Sequence, residues 1–326
     1  MLYLVLLHQL KSFIILEMRP HNISPSHYHC YFSTRLLNLI CFYLLITMNG
    51  TSSLPSSLIG KPVCALVPPG KCQLGEDFVQ LPLLERTKVS PTSSVLRFGL
   101  PDKSQPLNLS TCACILSRNK ENGEDVIRPY TSISPNTLNG CFDLLIKDYG
   151  PDGKMSHHMC TIDIGDTVEF KHISGNVKIQ APFPQKKIVM LIGGTGITPM
   201  IQALHAILGD DDSSNDVTLL YGSKVEADIL ARDLLEKWAD DYADKFQLVH
   251  ILSDEPEDSE WNGLRGQISK ELLEQHLPDP SIGNDLVIFI CGPPPMYDAL
   301  CGPRGEKELK GLLAEMGYKA EQVYKF

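Results

Sequence analysis

The sequence predicts two domains of different class, an antiparallel β-barrel followed by an α/β unit built on a parallel sheet. Three observations carry that expectation. Between residues 78 and 183, short β-type runs are broken by turn signals without helical periodicity. From Lys187 onward, apolar strand-like runs alternate with amphipathic helical stretches, the rhythm of a parallel sheet with right-handed crossovers. A chain of 326 residues is also long enough to bury two separate cores.

In the first domain the clearest strands fall over 94–98, 141–147 and 167–171, with Asn139-Gly140 and Gly165-Asp166 as turns. Several such strands close most simply into a small barrel. The second domain opens with a strand over 188–192. A helix from Pro199 follows, with Met200, Ala203, Leu204, Ile207 and Leu208 on one face. Further strands are expected over 217–221, 246–252 and 286–290, with a last strand ending at Phe326. Helices are expected over 229–238, around 269–276, and over 306–316, the last stopped by Gly317.

The first fifty residues differ in kind. Apolar runs over 1–16 and 36–48 flank a stretch holding Arg19 and Arg35, and each is shorter than the roughly 20 residues a membrane-crossing helix needs. Residues 1–50 read either as an anchor or targeting leader, or as an extension upstream of a start at Met48. Residues 51–77, rich in Ser, Pro and Gly, read as a linker. The formal charge is −10 and no Lys/Arg cluster appears, which excludes nucleic acid as a partner. The ten cysteines contain no C-x-x-C pair, and Cys112 and Cys114 are separated by one residue. No zinc or iron–sulfur spacing results, so no metal is expected and the thiols read as reduced. Adjacent His157 and His158 point to different sides of a helix and cannot share one ion.

Gly193-Gly-Thr-Gly196 lies between a strand and a helix start. Glycines at such a turn let backbone N–H groups approach a pyrophosphate, and the helix N-terminus favours its charge. Four other segments stand in fixed order around it: Arg128-Pro-Tyr-Thr-Ser-Ile-Ser134, Gly153-Lys-Met-Ser156, Cys291-Gly-Pro-Pro-Pro-Met296 and Val323-Tyr-Lys-Phe326.

In this order the segments resemble the NADH–cytochrome b5 reductases, within the wider ferredoxin–NADP reductase superfamily, over residues 81–326. The resemblance implies an FAD-binding barrel at 78–183 and an NAD-binding domain at 187–326. It also implies electron flow from NADH through FAD to a one-electron acceptor, foremost cytochrome b5. An NADPH-preferring or quinone-reducing enzyme of the same fold, or a non-catalytic nucleotide-binding protein, are the alternatives. The implied location is a cytosol-facing membrane, of the endoplasmic reticulum or the mitochondrial outer membrane, with a soluble cytoplasmic protein if translation starts at Met48.

By the same resemblance, Arg128, Pro129, Tyr130, Thr131 and Ser134 hold the flavin, with Thr131 beside its N5. Gly153, Lys154, Met155 and Ser156 meet the FAD pyrophosphate, and Lys147 helps hold the pyridine nucleotide. Gly193, Gly194, Thr195 and Gly196 pass the nucleotide pyrophosphate, and Thr198 faces the rings. Cys291 stands near the nicotinamide C4, with Gly292, Pro293 and Met296 completing that turn. Thr131, Thr198 and Cys291 are thereby the implied catalytic residues. Three departures stand out. Ser132 replaces the usual Pro, 104–113 lacks the usual Pro-x-Gly-Gln-His stretch, and Ser253 stands where NADH-preferring relatives carry Asp. Asp254 and Glu255 follow it and are expected to repel a 2′-phosphate, leaving NADH preferred with some NADPH use.

Overall fold

The computed structural model describes residues 60–326 apart from Asn122. The apolar runs of 1–50 and the first part of the expected linker lie outside the described residues.

The first domain is a six-stranded antiparallel sheet of barrel type. Its strands are β1 (Val79–Ser90), β2 (Ser93–Gly99), β3 (Ile115–Glu121), β4 (Glu124–Tyr130), β5 (Cys141–Lys147) and β6 (Thr167–His172), in the order β4-β3-β6-β1-β2-β5. Helix α1 (Lys154–Thr161) precedes β6. The rings of Phe98, Phe142 and Phe170 meet at centroid distances of 4.8 to 5.8 Å in the core. Asp143 is fully buried and receives two hydrogen bonds from Arg97, at 2.8 and 2.9 Å.

Strands β1, β3 and β4 go beyond the sequence expectation, and their faces explain it. On β3 the inward position after Ile115 is taken by the polar Ser117, while Arg118 on the other face pairs with Glu169 at 2.8 Å and lies over the Phe78 ring, so no apolar alternation marks the strand. Pro129 sits on β4, which is an edge strand, where a missing N–H is tolerated. Bulges in β1 near Leu83/Glu85 and Lys88/Ser90 break its period.

The second domain is a parallel sheet in the order β10-β9-β8-β7-β11-β12. The strands are β7 (Lys187–Gly193), β8 (Asp216–Ser223), β9 (Phe246–Leu252), β10 (Leu264–Arg265), β11 (Leu286–Cys291) and β12 (Val323–Lys325). Helices α2 (Ile197–Leu208), α3 (Arg232–Asp241), α4 (Lys270–His276), α5 (Pro294–Leu300) and α6 (Gly311–Glu315) connect them. The central strands β7 and β11 are buried on both faces, which is why they read as plain apolar runs.

Two helical expectations and one turn are corrected. Ala231 has φ 57°, a left-handed conformation that cannot lie inside a helix, so the helix expected at 229 starts at Arg232. The helix expected over 306–316 shrinks to α6. Residues 303–310 form a loop, gathered by Lys325 Nζ donating to the carbonyls of Gly302, Pro303 and Glu306 at 3.3, 3.1 and 3.0 Å, and Gly311 turns at φ 67°. The turn after Cys291 is short, because α5 begins at Pro294 and proline suits a first helical position.

The domains are joined by specific polar contacts. Cys112 N donates to Gln202 Oε1 at 2.7 Å, Cys112 Sγ to Pro199 O at 3.2 Å, and Gln202 Nε2 to Ser132 O at 2.7 Å. Residues 60–73, within the stretch expected as a linker, strap across both domains. Trp238 Nε1 donates to Gly60 O, Val63 N to His205 Nδ1, and Asn136 Nδ2 to Ala65 O, at 3.0, 3.0 and 3.2 Å. No helix among the described residues is long and apolar enough to cross a membrane, and no cluster there could hold a metal ion.

Candidate active site

From β7 the chain moves through β8 to β9 on one side, then returns to place β11 and β12 on the other. The carboxyl ends of β7 and β11 therefore flank a topological switch point, where a crevice opens. The glycine turn fills it closely. A Cβ on Gly196 would come within 2.2 Å of Cys291 O, and one on Gly193 within 2.9 Å of Pro293 Cδ. Gly194 instead has φ 54° and faces open space. Thr198 Oγ1 donates to Thr195 O at 3.2 Å, and Tyr221 Oη to Gly194 O at 3.0 Å. The loop is thus held with its N–H groups and the start of the twelve-residue α2 beside the crevice.

A cavity of about 800 Å³ extends from this crevice to the barrel. On the α/β side it is lined by Gly193, Gly194, Thr195, Gly196, Thr198 and Ser253, and by Cys291, Gly292, Pro293 and Met296. Pro129, Tyr130, Thr131, Lys147 and Ser156 line it from the barrel. Five expected residues stand off the lining. Arg128 is exposed on β4, with one guanidinium nitrogen donating to Ile127 O at 2.8 Å. Ser134 is buried, 2.9 Å from Ser132 Oγ and accepting from Asp143 N at 3.1 Å. Met155 belongs to the barrel core, and Lys154 pairs with Glu121 at 3.1 Å. Gly153 caps α1, where a Cβ would fall 2.5 Å from Ser156 Oγ and 2.7 Å from Tyr149 Cβ.

Several lining residues carried no local sequence signal because only tertiary folding brings them in. Tyr149 is 62% exposed and offers an aromatic face. Lys178, Lys224 and Arg304 join Lys147, so four lining side chains are cationic against one carboxylate, Asp228. In a chain of formal charge −10, that local excess marks a site for anions. Lys147 Nζ pairs with Asp228 Oδ1 at 3.2 Å, closing the cavity across the two domains. Burial pushes the Cys291 thiol up to about 11, Arg304 only partly offsetting it, so the side chain is a neutral thiol at pH 7. Burial likewise raises the Tyr130 phenol, which stays protonated and able to donate.

Residues 80–179 match the family model of the oxidoreductase FAD-binding domain, and 190–302 that of the oxidoreductase NAD-binding domain. NADH-cytochrome b5 reductase 2 of Aspergillus fumigatus is 38% identical over 257 residues, covering 77% of this chain and 78% of that protein. The chain belongs to the NADH-cytochrome b5 reductase family. Another member, NADH-cytochrome b5 reductase 1 of Lodderomyces elongisporus, is 39% identical over 225 residues, covering 69% of this chain and 73% of its own. Among solved structures, the cytochrome b5 reductase domain of Ulva prolifera nitrate reductase aligns with TM-score 0.65 at 29% identity, over 81% of this chain and 100% of that one. The CS-b5R domains of human Ncb5or, in the NAD+ form, align with TM-score 0.63 at 27% identity, over 77% and 69%.

The family's barrel binds FAD and its parallel sheet binds the nicotinamide nucleotide, and the residues present fit both groups. The cavity is large and basic, with glycine N–H groups at one helix start and Ser156 at another.

Proposed function

We propose that this chain passes electrons from NADH through FAD to a one-electron acceptor, and that the acceptor is cytochrome b5. The observation that carries the reading is the single cationic cleft shared by the barrel strand ends and the switch point of the parallel sheet. When bound, FAD takes up hydride from the nicotinamide and releases electrons one at a time.

The chain's own residues bind and orient. Arg128 has no carboxylate partner among the described residues, so its guanidinium is available to the FAD pyrophosphate as a bidentate donor. Tyr130 and Thr131 present hydroxyls to the flavin side of the cleft. Gly153 lets Ser156 and the first turn of α1 reach the cleft, and Gly193 through Gly196 with the start of α2 take the pyrophosphate of the nicotinamide nucleotide. Thr198 and the neutral Cys291 flank the nicotinamide, positioning the ring without exchanging a proton. Lys147 and Asp228 hold the two domains at the spacing this alignment needs. Ser134, Met155 and Lys154 support the site through the barrel. Attachment to a cytosol-facing membrane through residues 1–50 belongs to the same reading, supported by their two apolar runs.

The test of the acceptor is rapid mixing of the NADH-reduced full chain with ferric cytochrome b5, followed at the haem absorbance. Fast haem reduction with matching flavin reoxidation is expected. Haem reduction no faster than with free NADH overturns the acceptor assignment.

A further inference from the structure

We propose that Gln202 is a positioning residue for hydride transfer, its side-chain amide setting how far the nicotinamide stands from the flavin. The inference rests on the reading of the cleft given above and adds a residue that does not itself line the cavity. Gln202 lies on α2 one turn beyond Thr198, on the same helix face. Because α2 starts at the glycine turn, whatever anchors this helix also places Thr195, Gly196 and Thr198. The Cys291 turn follows, since Gly196 packs so closely against Cys291 O that a Cβ there would fall within 2.2 Å of it.

The amide spans the domain boundary with both of its ends. Its Oε1 accepts from Cys112 N and its Nε2 donates to Ser132 O, each at 2.7 Å. Both partners are backbone groups that the barrel holds still. Ser132 is buried directly after Thr131, with its hydroxyl 2.9 Å from Ser134 Oγ. Ser134 Oγ in turn accepts from Asp143 N at 3.1 Å, and Ile133 N donates to Asp143 O at 2.9 Å. Cys112 is buried at φ 58°, and its Sγ donates to Pro199 O, on α2 itself, at 3.2 Å. A left-handed conformation at a non-glycine residue persists where its surroundings fix it, and the two hydrogen bonds to α2 do so here.

Apolar contact alone would leave that spacing free to slide. Val95, Ile133 and Leu145 of the barrel share one cluster with Met200, Ala203 and Leu204 of α2, and such burial has no direction. The amide supplies the direction, because its donor and acceptor meet one carbonyl and one N–H together in a single register. Among the described residues, Gln202 is the one side chain of α2 hydrogen-bonded to the barrel. A slide of α2 by about 1 Å would strain both bonds and carry Thr198 with the helix, and a misplacement of that size can slow a reaction by up to about 10²-fold.

Stopped-flow reduction of the full, flavin-loaded chain by NADH reads the spacing. Gln202→Met keeps the length and removes both hydrogen bonds. It should slow flavin reduction at saturating NADH about tenfold and weaken the long-wavelength charge-transfer absorbance of the nicotinamide–flavin pair. Bound FAD, and the NADH concentration giving half the maximal rate, should stay within about twofold of wild type. Gln202→Glu separates positioning from packing. Its carboxylate accepts from Cys112 N but has no proton for Ser132 O, whereas the protonated acid serves both partners as the amide does. The ratio of its rate to that of wild type should therefore rise as pH falls from about 8 to about 5, the range in which a buried carboxyl takes up its proton. His205, which lines the same small pocket as Gln202, is held down to about 4 by burial, and burial pushes the Cys112 thiol up, so both stay neutral over this range. Unchanged flavin reduction in Gln202→Met, or a slow Gln202→Glu that acid does not rescue, overturns the positioning role alone. A wild-type flavin that NADH does not reduce overturns the reading of the cleft and the positioning role with it.

Discussion

The barrel and the parallel sheet serve one cleft by opposite means. The barrel brings side chains to it: Tyr130, Thr131 and Tyr149 line the cavity, and Arg128 stands exposed on the edge strand next to it. The parallel sheet brings mainly backbone, because its central strands are buried on both faces and only their carboxyl ends are free. Gly193, Gly196 and Gly292 there leave no room for a Cβ against the facing turn. The difference teaches where each half is vulnerable. Barrel substitutions should change what is held, and substitutions in the glycine turns should change whether the turns can close at all.

The largest expected effect tests that contrast directly. Gly196→Ala places a Cβ 2.2 Å from a backbone oxygen, and should cost about 3 kcal/mol of stability through forced backbone movement. Gly194→Ala meets open space, and its left-handed φ should cost about 1 kcal/mol. Denaturant titration of both variants checks this; equal losses would dissolve the distinction between the two glycines.

On the barrel side, Arg128→Ala should weaken FAD retention by about 2 kcal/mol, the worth of a hydrogen bond to a charged group, with little change in thermal unfolding of the flavin-free protein. Flavin content after gel filtration reads the first, and calorimetry the second. Undiminished flavin content would remove Arg128 from the site.

Acid should loosen the strap over the α/β domain. Burial holds the His205 and His250 imidazoles down to about 4, below the unfolded value of about 6.5. A lowered histidine contributes stability above its unfolded value and loses it as pH falls toward the folded one. Each should cost about 2 kcal/mol by pH 5. His205 must also stay unprotonated at Nδ1 to accept from Val63 N. His205→Gln should flatten the decline of unfolding midpoint between pH 6.5 and 4 by about half; an unchanged slope would place the titration elsewhere.

The smallest effect concerns the link between the halves. Lys147→Met removes a partly exposed ion pair to Asp228, which should cost under about 1 kcal/mol of stability while raising the KM for NADH. A kcat change at constant KM would instead assign Lys147 to the chemical step.

The same contrast governs what was legible in the sequence. Strands buried on both faces, such as β7 and β11, announce themselves as apolar runs. Strands β3 and β4 do not, because the polar Ser117 takes an inward position on β3 and Pro129 interrupts β4. The glycine turn and the Cys291 turn were readable as local strings, since their chemistry is backbone placed by neighbours in sequence. Tyr149, Lys224 and Arg304 were not, because loops and non-adjacent strands bring them to the cavity. The loop at 303–310 was read as helix because its helical pattern is local, whereas the Lys325 ammonium that gathers its carbonyls comes from the last strand.

The central claim is that the two halves form one hydride-transfer cleft, and a visible spectrum under anaerobic conditions tests it most directly. The purified full chain should be yellow, and one equivalent of NADH should bleach the flavin band within the mixing time of a manual experiment. A colourless protein that takes up no added FAD, or a bound flavin that NADH leaves unbleached, would contradict the account.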